Sequence, residues 1–230
     1  MKLKIYQIYY SWFQWFSVQH GFKPYFNAGS NRYLENQVIL DCYQNHRFKN
    51  CDYFGVLSWR FEEKTKLNFD QIANFIKKEK SSADVYAFFQ DPDQRSRVKK
   101  NMWKHAVEMW HPPLFIEIGQ MIFDELKIKA NILDLETPVI YSNYWIARPQ
   151  VFAGYVERLL APAVKIMEEN ETNKRLCYED SGYDRQKSIS IKQREKIFGR
   201  PYFTFHPFIC ERLFSSWLAL NPNIRFNYIS

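Results

Sequence analysis

Apolar positions along this chain alternate between two periods. Residues 3–10 read Leu-Lys-Ile-Tyr-Gln-Ile-Tyr-Tyr, apolar on both faces of an extended segment, as expected of a strand covered on both sides. Residues 53–61 and 85–89 repeat the pattern, with β-branched and aromatic residues crowded between polar ends. Between the strands the period lengthens. Residues 34–43 read as a short helix, and Asn68 or Asp70 caps another that runs to Lys78 with Ile72, Phe75 and Ile76 on its buried side. Val98, Met102, Ala106 and Met109 or Trp110 then recur at helical spacing. Pro112 and Pro113 interrupt, and Phe115, Ile118, Ile122 and Leu126 form the apolar face of a helix over 114–126.

Farther along, a strand is expected over 139–146. A long amphipathic segment over 151–169 follows, turning Phe152, Tyr155, Leu159, Val164 and Met167 inward and kinking at Pro162. Residues 21–31 are turn-rich. Residues 171–196 are polar and almost free of core positions, and read as a mobile loop or lid. A short strand over 202–205 and a helix over 207–220 complete the pattern. Strands alternating with helices point to a single three-layer α/β/α domain spanning 1–230 around a mostly parallel sheet. No linker or internal repeat divides it.

Composition narrows the chemistry. With 20 Phe, 15 Tyr and 7 Trp against 7 Gly, the chain favours a densely filled globule. Neither G-x-G-x-x-G nor G-x-x-x-x-G-K-[ST] occurs, so dinucleotide and P-loop readings lose their main support. The formal charge is +7, from 32 Lys and Arg against 25 Asp and Glu, without a long like-charged run. That balance suits an anionic small ligand and allows peripheral contact with an anionic membrane, with nucleic acid not expected as a partner. Cys42, Cys51, Cys177 and Cys210 lack paired spacing, and Cys42, His46 and Cys51 have no evident fourth ligand for zinc, so free thiols are expected. The first residues lack the features of a signal peptide and no segment reaches membrane-spanning length, which makes a reducing cytoplasm the default expectation.

The most suggestive polar positions follow the strand at 85–89. Asp91 and Asp93 flank Pro92 just past its carboxyl end, where open α/β sheets place ligands. Two carboxylates at that spacing can hold a divalent cation against a diphosphate. They can equally start a helix, with Asp as N-cap, Pro at its first position and Gln94 three residues on. Both readings stay open, and one acid can cap while the other coordinates. Arg60 leaves the strand at 53–61, where its planar fork can reach a pyrophosphate or simply stack on Trp59 at the surface. Glu179 and Asp180 are adjacent acids in the polar stretch, solvated or placed to take a proton from an attacking hydroxyl. His206 sits between an aromatic strand and a helix start, as a hydrogen-bonded core residue or a neutral imidazole beside a cation.

This order, Asp91-Pro92-Asp93, then Tyr178-Glu179-Asp180, then His206, resembles that of the GT-A-type glycosyltransferases. In that superfamily an acid-x-acid motif binds the metal and donor diphosphate, an x-Glu-Asp motif supplies the base, and a C-terminal His often completes the metal shell. Short segments also resemble small bacterial and viral polysaccharide (capsule) glycosyltransferases. They are Lys4-Ile5-Tyr6-Gln7-Ile8-Tyr9-Tyr10, Tyr53-Phe54-Gly55-Val56-Leu57-Ser58-Trp59-Arg60, Tyr141-Ser142-Asn143-Tyr144-Trp145-Ile146 and Cys210-Glu211-Arg212-Leu213. In the second, Ser58 and Trp59 replace the His and Tyr of the family's Gly-Leu-x-His-Tyr-Arg element.

The resemblance implies a nucleotide-sugar donor, most naturally a UDP-sugar, and a glycan or lipid-linked acceptor. It places donor binding in about 1–135 and the acceptor side in about 136–230. It implies Mn²⁺ or Mg²⁺ on Asp91, Asp93 and His206, with Asp91 also against the donor. Tyr9, Tyr10 and Ser11 would meet base and ribose, Arg60 would share the diphosphate charge, and Asp180, failing it Glu179, would be the base. Two other classes compete. A nucleic-acid-binding module would need exposed aromatics among cations, whereas most aromatics here fall at core positions. A metal-dependent phosphoesterase would need more ligands than five His and this acid set offer.

Overall fold

The computed structural model describes residues 1–27, 32–89, 101–183 and 190–229. Its centre is a six-stranded sheet of β1 (Leu3–Tyr9), β2 (Lys23–Phe26), β3 (Tyr53–Ser58), β4 (Val85–Phe88), β5 (Trp145–Ala147) and β6 (Phe226–Ile229), in the order β2-β1-β3-β5-β4-β6. β1 pairs parallel with β2 and β3, and β4 pairs parallel with β6. β5 runs antiparallel between β3 and β4, so the sheet is mixed. β5 approaches β3 closely because β3 carries Gly55. A Cβ there would meet Ile146 Cγ2 at 2.5 Å and the Trp145 carbonyl at 2.9 Å.

Alternate residues of each strand enter different cores, as a period of two requires. Tyr6, Ile8, Phe54, Val56, Val85, Ala87, Trp145 and Ala147 face the larger one. It is filled by α2 (Glu35–Gln44), α5 (Met102–Met109), α6 (Leu114–Glu125) and α11 (His206–Leu220). The continuous helix formed by α7 (Pro149–Tyr155), a π segment (Val156–Leu160) and α8 (Ala161–Glu169) packs there too. Ile5, Tyr53, Leu57, Tyr86, Phe88 and Ile146 face a smaller core closed by α3 (Phe61–Thr65) and α4 (Phe69–Lys78). Helices therefore cover both faces of an α/β sheet. Each fully buried Phe or Leu side chain contributes about 1.5–3 kcal/mol.

Local chemistry fixes the helix ends. Asn68 and Gln71 form a capping box on α4. Asn101 accepts from the Trp103 and Lys104 amides, both at 2.9 Å, and donates to the Ile132 and Leu135 carbonyls, so a buried amide caps α5 and ties it to the loop after α6. Pro162 does not break its helix, because the wider π turn before it accommodates the missing N–H.

Several expectations change. Lys23–Phe26, inside the turn-rich stretch, is a strand, and Pro24 is tolerated there because β2 lies at the sheet edge. β6 was not foreseen. The expected strand over 139–146 contracts to Trp145–Ala147, since Ser142 and Asn143 take positive φ. The expected loop over 171–196 contains α9 (Glu171–Cys177), capped by Asn170, and α10 (Ile191–Phe198), started by a Ser190–Gln193 capping box and ended by Gly199 in the left-handed region. In place of a strand over 202–205, Thr204 makes an isolated antiparallel bridge with Asp180. Among the described residues, no helix is long and apolar enough to cross a membrane.

Candidate functional site

The chain passes from β1 to β2 on one side and then crosses to β3 on the other. The crevice beyond the carboxyl ends of β1 and β3 is therefore a topological switch point, the usual ligand position in open α/β sheets. Gln7 anchors it. This fully buried amide donates to the Ser58 and Trp59 carbonyls, at 3.5 and 3.4 Å, and accepts from the Gln19 amide at 2.9 Å.

Side chains from five parts of the chain meet beside this crevice. Ser58, ending β3, shares a 2.6 Å hydrogen bond with the Tyr144 hydroxyl, which enters ahead of β5. Tyr10, just past β1, donates to Glu35 at the start of α2. Burial raises the Glu35 carboxyl above its ordinary range, and the charge of Glu211 on α11 adds to the shift, while Lys64 opposes it. Asn143 donates to Asn36 at 3.2 Å, and Asn36 donates to the Pro207 carbonyl at 3.5 Å, which links the β5 approach to α2 and α11. Arg212, 2% exposed, pairs with Glu211 at 2.7 Å and lies 5.5 Å from the centre of the Tyr141 ring. Burial pushes the Tyr141 phenol up to about 12. Among the described residues, Arg212 Nε and Asn143 Oδ1 have no hydrogen-bond partner.

Next to this group, His111 holds the Ser181 carbonyl at 2.7 Å through Nδ1, and burial lowers its pKa to about 4. The set thus combines a buried guanidinium, two acids, the pKa of one of them raised by burial, and several hydroxyls and amides.

The residues expected from sequence divide into groups. Tyr9 is buried, stacked on Phe26 at 5.1 Å with Trp15 edge-on at 5.3 Å. Tyr10 belongs to the cluster above. Ser11 starts the single-turn α1 (Trp12–Trp15), its carbonyl accepting from the Gln14 amide at 3.0 Å. Arg60 precedes α3, bonds Glu63 at 2.5 and 2.8 Å, and lies 5.9 Å from the Trp59 ring, so it makes an exposed ion pair two residues beyond the buried Ser58. Asp91, Asp93 and Val98 lie outside the described residues, whereas Met102, Ala106 and Met109 of the helix expected there form α5, capped by Asn101.

Glu179 lines a surface recess of about 390 Å³ with Lys174, Arg175, Tyr178 and Arg200. Asp180 is exposed, and its Oδ1 accepts from the Gly182 amide at 2.9 Å. No described hydrogen bond or ion pair joins either acid to Tyr9, Tyr10, Ser11 or Arg60. His206 is fully buried, with Nδ1 2.9 Å from Thr204 Oγ1 and Nε2 3.8 Å from Glu168 Oε1. Glu168 already accepts from Arg32 and Tyr33, and burial lowers His206 to about 4. Its surroundings are those of a hydrogen-bonded core histidine beside an existing cation. Among the described residues, no three His, Cys, Asp or Glu side chains converge on a common point for a metal ion, and the four cysteines are free.

Glu35, Asn36, Asn143, Tyr144, Glu211 and Arg212 were not among the expected site residues. A signal existed for Arg212, a charge embedded in the apolar run Phe208-Ile209-Cys210 to Leu213-Phe214. Another existed for Glu35, the first acid in the chain. No family model, curated protein or solved structure matches this chain.

Proposed function

We propose that this chain is a GT-A-like glycosyltransferase that moves a sugar from a nucleoside-diphosphate donor, a UDP-sugar, to a glycan or lipid-linked acceptor in polysaccharide or glycan synthesis in the cytoplasm. The observation that carries the reading is the polar cluster at the switch point, to which all four segments resembling capsule glycosyltransferases contribute: Tyr10, Ser58, Tyr144 with Asn143, and Arg212 with Glu211.

In this reading Tyr9, Tyr10 and Ser11 meet the base and ribose, and Arg60 and Arg212 supply positive charge to the diphosphate. Asp180, failing it Glu179, takes the proton from the acceptor hydroxyl if the transfer inverts configuration. Asp91 and Asp93 would hold Mn²⁺ or Mg²⁺, which would supply positive charge to the diphosphate. The enclosed His206 is left out of that role.

The test is thermal unfolding with UDP, GDP or dTDP, with and without Mn²⁺. A rise of several degrees that needs both nucleotide and metal, and is lost in Asp91→Ala and Asp93→Ala, supports the proposal. No response to any nucleoside diphosphate refutes it.

A further inference from the structure

Directly after β1 the chain leaves large aromatic side chains in water. Trp12 is 71% exposed, Phe13 84%, Phe16 77% and, on β2, Phe26 53%. The group is contiguous: Trp12 stacks on Trp15 at 6.3 Å, Trp15 meets Tyr9 at 5.3 Å, and Tyr9 stacks on Phe26 at 5.1 Å. At those exposures the four rings leave roughly 500 Å² of aromatic surface uncovered, near the upper end of the largest patch on a typical monomer. No residue of α1 is buried, so the turn is not held in place by a core contact of its own. It is fixed from below, by the Ser11 carbonyl and by Gln14, whose Oε1 accepts from the Tyr10 amide at 2.7 Å.

We propose that this aromatic knuckle docks on an anionic phospholipid surface. Indole and phenyl rings without charged neighbours in their own segment are the side chains that settle at the headgroup–acyl boundary. Lys23 is exposed at the start of β2, three residues before Phe26, and the whole chain carries +7, which suits an anionic leaflet. Phe13 and Phe16, two of the most exposed rings, have no polar atom with which to read a sugar, which favours lipid over a glycan platform. Docking here would set the β1–β3 crevice at the bilayer surface. The inference does not depend on the transferase reading, because it concerns a surface and no reaction.

Co-sedimentation of the full chain with vesicles of phosphatidylcholine plus phosphatidylglycerol tests it against vesicles of phosphatidylcholine alone. The wild type is expected to pellet with the anionic vesicles, and Trp12→Ser/Phe13→Ser/Phe16→Ser to lose at least about tenfold in partitioning with an unchanged thermal midpoint. No binding by the wild type, or equal binding by the variant, overturns the proposal. So does a concentration-dependent dimer abolished by the same substitutions, which would make the knuckle a contact between copies. Because the readout needs neither nucleotide nor metal, its failure is distinguishable from failure of donor binding.

Discussion

The Ser58–Tyr144 hydrogen bond joins the exit of β3 to the entry of β5 and can be weighed by a double-mutant cycle. Tyr144 is fully buried and Ser58 is 7% exposed, with the two oxygens 2.6 Å apart. Tyr144→Phe leaves the serine hydroxyl buried without this partner, and Ser58→Ala does the same to the phenol. Each single change should cost about 1–3 kcal/mol, mainly the desolvation of the group left behind. Removing both partners leaves no orphan, so Ser58→Ala/Tyr144→Phe should cost less than either single variant. The resulting coupling is about 1–2 kcal/mol, in the sense that the second substitution rescues the first. Reversible urea unfolding reads it as midpoint shifts of roughly 0.5–1 M for the singles, largely recovered in the double. Additive losses, with the double variant the least stable, would refute the reasoning and show the hydroxyls to be satisfied independently.

Two further stability predictions concern charge. Burial lowers His111 and His206 to about 4, below the roughly 6.5 of an unfolded histidine, so their contribution is fully present above pH 6.5 and is lost as pH falls towards 4. Urea titrations between pH 7 and pH 4.5 should show a loss of about 2–3 kcal/mol per histidine, and His111→Asn/His206→Gln should flatten the profile; a parallel profile rejects the assignment. Asp84 accepts from Arg148 Nε at 3.1 Å and from Arg225 through Nε, Nη2 and the backbone amide at 3.0–3.1 Å, binding β4 to β6 and to the end of β5. Asp84→Asn should cost about 2 kcal/mol at pH 7, and the gap should close as acid protonates the wild-type carboxylate, whose pKa Arg225 lowers.

The strands with two buried faces were legible because nothing in them is ambiguous: Leu3–Tyr9 and Tyr53–Ser58 are apolar at both parities. β2 was not, because Gly21 and Pro24 are breakers in any window and only the edge position excuses them. α9 and α10 were hidden by polarity, since they bury little beyond Asn173, Cys177 and Phe198 and rely on Asn170, Ser190 and Gly199 for their ends. The site was legible in part. Tyr10 and Ser58 follow from strand ends, but the contact of Glu35 with Tyr10 and, across more than 170 residues of sequence, its proximity to Glu211 have no local signature. Arg60 also follows from its strand end, and what the strand pattern did not show is its exposed pairing with Glu63 three residues on.

The charges around the crevice add a condition on how a diphosphate would bind. Glu211 already pairs with the Arg212 guanidinium, and burial first, then the charge of Glu211, raise the Glu35 pKa. A diphosphate arriving alone would meet two carboxylates as well as Arg212 and Lys64, so Coulomb repulsion offsets much of the attraction. A divalent cation removes that conflict, and so does a proton on Glu35. Nucleotide without metal should therefore stabilise the protein little, and metal should restore the stabilisation. Glu35→Gln, which removes one carboxylate at constant shape, should make metal-free binding stronger. If instead metal-free binding weakens in that variant, Glu35 contacts the ligand as an acceptor and the repulsion reading is wrong.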